Sequence, residues 1–154
     1  MFNVLIVGGG AAGLSCALVL GSAKKQHFAQ DKNIGIITHQ KTSDLQNALF
    51  NNVLGLPPGT AGASLLKDGK EQLKKLYPHV EQLENEKVFE IIKADTLFRV
   101  KTNKNTYQAE LVVIAVGYSN LITIKGLEDY IEPHPKAAQE KKELDKKKAA
   151  EKAK

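Results

Sequence analysis

Val4-Leu5-Ile6-Val7-Gly8-Gly9-Gly10-Ala11-Ala12-Gly13-Leu14 decides how this chain folds. Phe2 to Val7 is a short β-branched and apolar run, as a strand buried on both faces of a parallel sheet requires. It stops at glycines. Small and apolar residues from Ala11 to Leu20 then read as a helix on that sheet, ended by Gly21-Ser22. Gly8, Gly10 and Gly13 have the G-x-G-x-x-G spacing, between a strand and a helix as the motif demands. Gly8 allows the tight turn, Gly10 lets the backbone approach a pyrophosphate, and Gly13 lets helix and strand pack closely. The amides at the helix start, with Ala11 and Ala12, and the positive end of the helix dipole favour phosphate. The stretch predicts a dinucleotide site.

Outward from this loop, Lys24 to Lys32 is polar and reads as a connection. Asn33 to Thr38 carries Ile34, Ile36 and Ile37 and reads as a second parallel strand. Strand, helix and strand within about 40 residues predict a right-handed βαβ crossover. An acid is expected where the second strand ends, to hold the ribose hydroxyls. Here the strand ends Ile37-Thr38-His39-Gln40. Thr38, His39 or Gln40 could hydrogen-bond a ribose, more weakly than a carboxylate. His39 also reads as a solvated loop residue.

Asn51 to Gly59, with turn formers and two prolines, reads as a loop. Thr60 is the expected N-cap of a helix reaching about Tyr77, with Leu65, Leu66, Leu73 and Leu76 as its buried stripe. Val80 to Leu83, Lys87 to Lys93 and Thr96 to Lys101 read as short strands of an antiparallel meander. Asn103-Lys104-Asn105 supplies a turn, and a further strand begins near Tyr107 to Glu110. Leu111 to Val116 then reads as a buried parallel strand closing at Gly117. The expected fold is α/β: a Rossmann-like, three-layer nucleotide-binding domain with a central parallel sheet and a β-meander, over residues 1–130. Residues 131–154 form a Lys/Ala/Glu-rich extension, helical or disordered.

Several of these segments together resemble the FAD-binding domain of thioredoxin-reductase-like flavoproteins, within the pyridine nucleotide–disulfide oxidoreductases. They are the first glycine motif; Asn52-Val53-Leu54-Gly55-Leu56-Pro57 with Gly59 and Gly62, similar to an Asn-x-x-Gly-x-Pro loop; the meander; and Leu111 to Gly117, similar to a strand closing on Ala-Thr-Gly. The resemblance implies FAD as cofactor. It implies that Asn52 lies near flavin or ribityl, that the backbone at Val88 meets adenine, and that Ala115, Val116 and Gly117 line the dinucleotide. The family's NADPH domain, its redox cysteine pair and its final FAD-contacting segment have no counterpart in this sequence. The implied activity is that of a flavoprotein oxidoreductase whose flavin an external donor such as NAD(P)H, or a redox partner protein, reduces. The alternative is a dinucleotide-binding module that holds FAD or NAD without turnover. In a third reading an oligomer completes the site.

The bulk properties narrow the partners. The chain has 154 residues and net charge +5. Lys136 to Lys154 holds eight lysines against four acids, so most of the basicity belongs to the extension. That argues against a nucleic-acid face on the fold. No apolar run reaches membrane-spanning length. The start of the chain reads as strand and helix rather than signal peptide, because a basic flank is missing and glycines interrupt it. Cys16 is the sole cysteine, which fits a reducing, cytoplasmic setting. Within its helix Cys16 reads as a small core residue. His27, His39, His79 and His134 lack metal-ligand spacing, and Ser15 lacks a nucleophile-elbow context. No residue is singled out as catalytic.

Overall fold

The computed structural model describes residues 1–39, 44–117 and 124–127. Gln40 and the Lys/Ala/Glu-rich extension lie outside the described residues. The chain opens with strand β1 (Phe2–Val7), helix α1 (Ala11–Ser22) and strand β2 (Ile34–Thr38). β1 and β2 pair in parallel, with Val4 opposite Ile34 and Val7 opposite Ile37, as the βαβ reading predicts. The polar connection between α1 and β2 is not plain loop: it holds two 3-10 turns, Ala23–Lys25 and His27–Ala29.

A short antiparallel pair follows, β3 (Leu49–Phe50) and β4 (Thr60–Ala61), enclosing the Asn51–Gly59 loop. Helix α2 (Gly62–Leu76) starts one residue later than the sequence suggests, and Ala61 rather than Thr60 is its N-cap. Thr60 is held in the strand pair, and its hydroxyl donates to the Pro57 carbonyl at 2.6 Å. Of the expected stripe, Leu66 and Leu73 are buried, Leu65 is half-buried and Leu76 is exposed. Leu76 closes the last turn, where the chain leaves the core.

The remaining strands are β5 (Val80–Glu84), β6 (Val88–Ala94), β7 (Leu97–Thr102) and β8 (Thr106–Ile114). They complete a six-stranded sheet in the order β5-β2-β1-β8-β7-β6. Here the structure corrects the reading of Val80 to Leu83 as meander: β5 pairs in parallel with β2, at the far edge of the parallel sheet. Its short, partly exposed pattern fits an edge strand of either direction, so pattern alone could not place it. The meander is β6, β7 and the first half of β8. β8 is one long strand, antiparallel to β7 and parallel to β1.

Each face of the parallel sheet has its own core. On the helix side Ile6, Ile34, Ile36 and Val80 pack with Leu14 and Ala17 of α1 and Leu66 and Leu73 of α2. On the other side Leu5, Val7 and Ile37 pack with Val88, Ile91 and Val100 of the meander. This is the three-layer arrangement expected. Leu111 departs from it, because the helices lie over β1, β2 and β5. It is 50% exposed, and Val112 to Ile114 are half-buried rather than buried. Among the described residues, no helix is long and apolar enough to cross a membrane.

Candidate functional site

The carboxyl ends of β1, β2 and β8 meet at one edge of the sheet. β1 lies between β2, which follows it through α1, and β8, which returns from the meander. In open α/β sheets the crevice at such a reversal of strand order is where ligands bind. The backbone ladder continues past the strand ends and fixes the three segments together. The Gly8 amide donates to the Ile37 carbonyl at 2.9 Å, and the Ala115 amide donates to the Val7 carbonyl at 2.8 Å.

Three glycines are required by close approach. Gly8 has φ +121°, and a Cβ there would collide with the Ala115 carbonyl. A Cβ on Gly13 would collide with the Gly8 carbonyl, and would also lie 3.5 Å from the Ala115 methyl. A Cβ on Gly9 would fall 2.6 Å from Cγ2 of Thr38. Glycine thus permits contact between the loop and both neighbouring strand ends.

Gly10 is the N-cap of α1 and offers no side-chain cap, and the first turn holds no acid. The first bond of the helix runs from the Leu14 amide to the Gly10 carbonyl at 3.0 Å. The amides of Ala11, Ala12 and Gly13 therefore have no acceptor within the helix. Ala11 and Ala12 are exposed. Backbone donors and the positive end of the dipole converge on a place the protein leaves without a compensating anion. These residues fit a pyrophosphate.

The other predicted residues fall around this loop. Thr38 is 6% exposed, with its methyl under Gly9. His39 is exposed at the end of β2. Ala115 and Val116 are half-buried beside Gly8, and Gly117, with φ +69°, opens to solvent. Val88 is buried, and its side chain belongs to the meander core. Its backbone is brought near the end of β2 because the Glu86 amide donates to the Thr38 carbonyl at 3.1 Å. Asn52 stands exposed in the β3–β4 loop. Its neighbour Asn51 holds that loop, with Oδ1 accepting from the Gly59 amide at 2.9 Å. The contacts described for this hairpin run to Ala48 through the Gly62 amide, and they do not join Asn52 to the glycine loop.

Two acids escaped the sequence reading. Glu84 ends β5 as the register partner of Thr38. Glu86, 5% exposed, accepts from the hydroxyls of Thr102 at 2.7 Å and Tyr107 at 2.8 Å. Assigning Val80 to Leu83 to the meander hid both. A strand directly following α2 is in parallel-sheet position, and that was the available signal. Cys16, on α1, is half-buried, and burial raises its thiol pKa. Among the described residues, no group of three His, Cys, Asp or Glu side chains gathers as a metal site.

The family model for pyridine nucleotide-disulphide oxidoreductases matches residues 2–154. The chain belongs to this family. Within this family it is similar to thioredoxin reductase from T. acidophilum, at 28% identity and TM-score 0.61, over 84% of this chain and 40% of that one. Thioredoxin reductase from Streptococcus pyogenes MGAS5005 is 27% identical, TM-score 0.61, over 76% of this chain and 35% of the other. An oxidoreductase from Agrobacterium tumefaciens is 26% identical, TM-score 0.62, over 75% and 36%. The chain thus spans well under half the length of these solved structures. Among curated proteins no significant match is found.

Proposed function

We propose that this chain binds FAD and serves as the flavin domain of an oxidoreductase. The observation that carries the reading is the helix start at Gly10: uncapped, without acids, and pressed against β1 and β8 by Gly8 and Gly13, where a Cβ would collide with backbone carbonyls. The family supports a flavin as the occupant, and the pyrophosphate common to dinucleotides supplies the anion the loop accommodates. Bound flavin would supply the redox chemistry, accepting electrons from an external donor such as NAD(P)H. The protein's part is to hold and orient it. The amides of Ala11, Ala12 and Gly13 bind the phosphates, and Gly8 and Ala115 fix the floor beneath them. The turn from Ala115 to Gly117 flanks the dinucleotide, and the backbone at Val88 borders the adenine side.

The test is the visible spectrum of the full chain after incubation with FAD and gel filtration. Retained flavin bands that bleach on addition of NADH or NADPH support a flavoprotein that takes electrons from a pyridine nucleotide. Retained flavin that neither reductant bleaches supports the alternative, a module that binds flavin without turnover. A colourless protein overturns the flavin reading. Gly10→Leu is expected to abolish uptake, and full retention would mean that the pyrophosphate does not sit on this loop.

A further inference from the structure

The adenosine ribose of a dinucleotide ordinarily meets a carboxylate at the end of the second strand. β2 ends at Ile37-Thr38 and His39 follows it, and none of these is an acid. The neighbouring strand supplies one. Thr38 and Glu84 are register partners in the parallel β2–β5 pair, so their side chains leave the sheet on the same face, about 4.8 Å apart across the ladder. Which face is shown by Thr38, whose Cγ2 lies under Gly9. Glu84 therefore projects from the glycine-loop face, one strand further from β1 than Thr38.

Its surroundings leave the carboxylate available. Glu84 is exposed. Its carbonyl accepts from Lys104 Nζ at 3.0 Å, and Asn85 turns the chain with φ +58° before the Glu86 amide reaches the Thr38 carbonyl. The backbone on both sides of Glu84 is thus pinned. Among the described residues, its carboxylate makes no hydrogen bond or ion pair. Glu86 cannot substitute, because Thr102 and Tyr107 already occupy its two oxygens. Glu81, three residues earlier on the same strand, projects from the opposite face.

We propose that Glu84 receives the 2′- and 3′-hydroxyls of the adenosine ribose, the carboxylate coming from β5 instead of β2. The proposal rests on the reading that an adenosine dinucleotide lies on the glycine loop. A carboxylate accepts two hydroxyl donors and binds them more strongly than a neutral group would. The same negative charge repels a 2′-phosphate. The site is therefore selective for an unphosphorylated ribose.

Calorimetric titration of the full chain with ADP, 2′-deoxy-ADP, 2′-phospho-ADP and inosine diphosphate tests this. ADP is expected to bind about tenfold more tightly than 2′-deoxy-ADP, the scale of one hydrogen bond to a charged group. Glu84→Gln is expected to weaken ADP about tenfold, to leave 2′-deoxy-ADP nearly unchanged and to improve 2′-phospho-ADP. Glu81→Gln is expected to bind like the parent. Equal binding of ADP and 2′-deoxy-ADP by the parent chain overturns the proposal, whatever the variants do. So does an equal loss of both nucleotides in Glu84→Gln. A dependence on Glu84 that tracks the adenine amino group, seen as discrimination between ADP and inosine diphosphate, overturns the assignment to the ribose. If FAD is not retained but ADP binds with the expected dependence, the flavin reading fails and the role of Glu84 stands. If ADP does not bind at all, both fail.

Discussion

Tyr107 donates its phenol hydroxyl to the buried Glu86 carboxylate at 2.8 Å, and so ties the first half of β8 to the turn that passes over the end of β2. Thr102 donates to the second oxygen at 2.7 Å, from β7. A carboxylate this enclosed is tolerated only with both oxygens satisfied. Thr102→Val leaves one of them without a donor and is expected to cost about 1–3 kcal/mol. Tyr107→Phe removes a partner closer to solvent and is expected to cost about 1 kcal/mol. Urea denaturation of the two variants checks the order.

The same pair gives a pH dependence. Burial, and then the hydrogen bond to Glu86, raise the Tyr107 pKa above its ordinary value, although Asn105 acts in the opposite direction. The folded state therefore keeps the phenol proton at a pH where the unfolded chain has lost it. The stability from Tyr107 is complete below the ordinary tyrosine pKa of about 10 and is lost as pH rises from there through the higher folded value. Tyr107→Phe is expected to flatten the stability decline above about pH 10, read from melting temperatures against pH. A slope identical to the parent's would place the alkaline sensitivity elsewhere.

Gly8→Ala combines a strained φ of +121° with a collision against the Ala115 carbonyl. The expected loss is about 2 kcal/mol or more. Gly13→Ala pushes α1 away from the Gly8 carbonyl, so nucleotide binding is expected to fall further than stability does. Comparing urea midpoints with nucleotide affinity separates the two effects.

Asn51, not Asn52, holds the β3–β4 loop through the Gly59 amide. Asn51→Ala is expected to cost about 1 kcal/mol and to speed amide exchange from Asn51 to Gly59. Asn52→Ala is expected to leave that exchange unchanged, so an effect of Asn52→Ala on flavin binding would report contact with the ligand.

Burial raises the Cys16 pKa, so little thiolate forms near neutrality. Alkylation of the native chain by iodoacetamide is expected to be slower than that of the same chain in urea. Equal rates would place Cys16 outside the α1 packing.

Gly8 and Gly13 made the tight strand-to-helix turn legible, because each answers a backbone constraint that sequence spacing encodes directly. The parallel pairing of β1 and β2 was legible for the same reason. β5 was not. A short, partly exposed edge strand reads the same whether it runs parallel or antiparallel, so only the sheet order reveals that Glu84 stands beside Thr38. The N-cap of α2 was misplaced because Thr60, a good capping residue, is committed to the β3–β4 pair. Leu111 reads as core from its run of neighbours, yet the helix layer does not reach it. The glycine loop announces itself by composition, whereas the carboxylate beside it depends on register across two strands.

β8 pairs with both β1 and β7, and its contacts with β1 join residues as far apart as Asn3 and Glu110, 107 positions along the chain. Contacts so distant in sequence carry a large loop-closure cost before they return any stabilisation, and they slow folding. The glycine loop is synthesised about a hundred residues before Ala115, which forms its floor. A ribosome-bound chain therefore exposes the β1 edge until β8 is released, and if the loop holds a nucleotide, its affinity is expected to rise abruptly at that length rather than to grow with the chain.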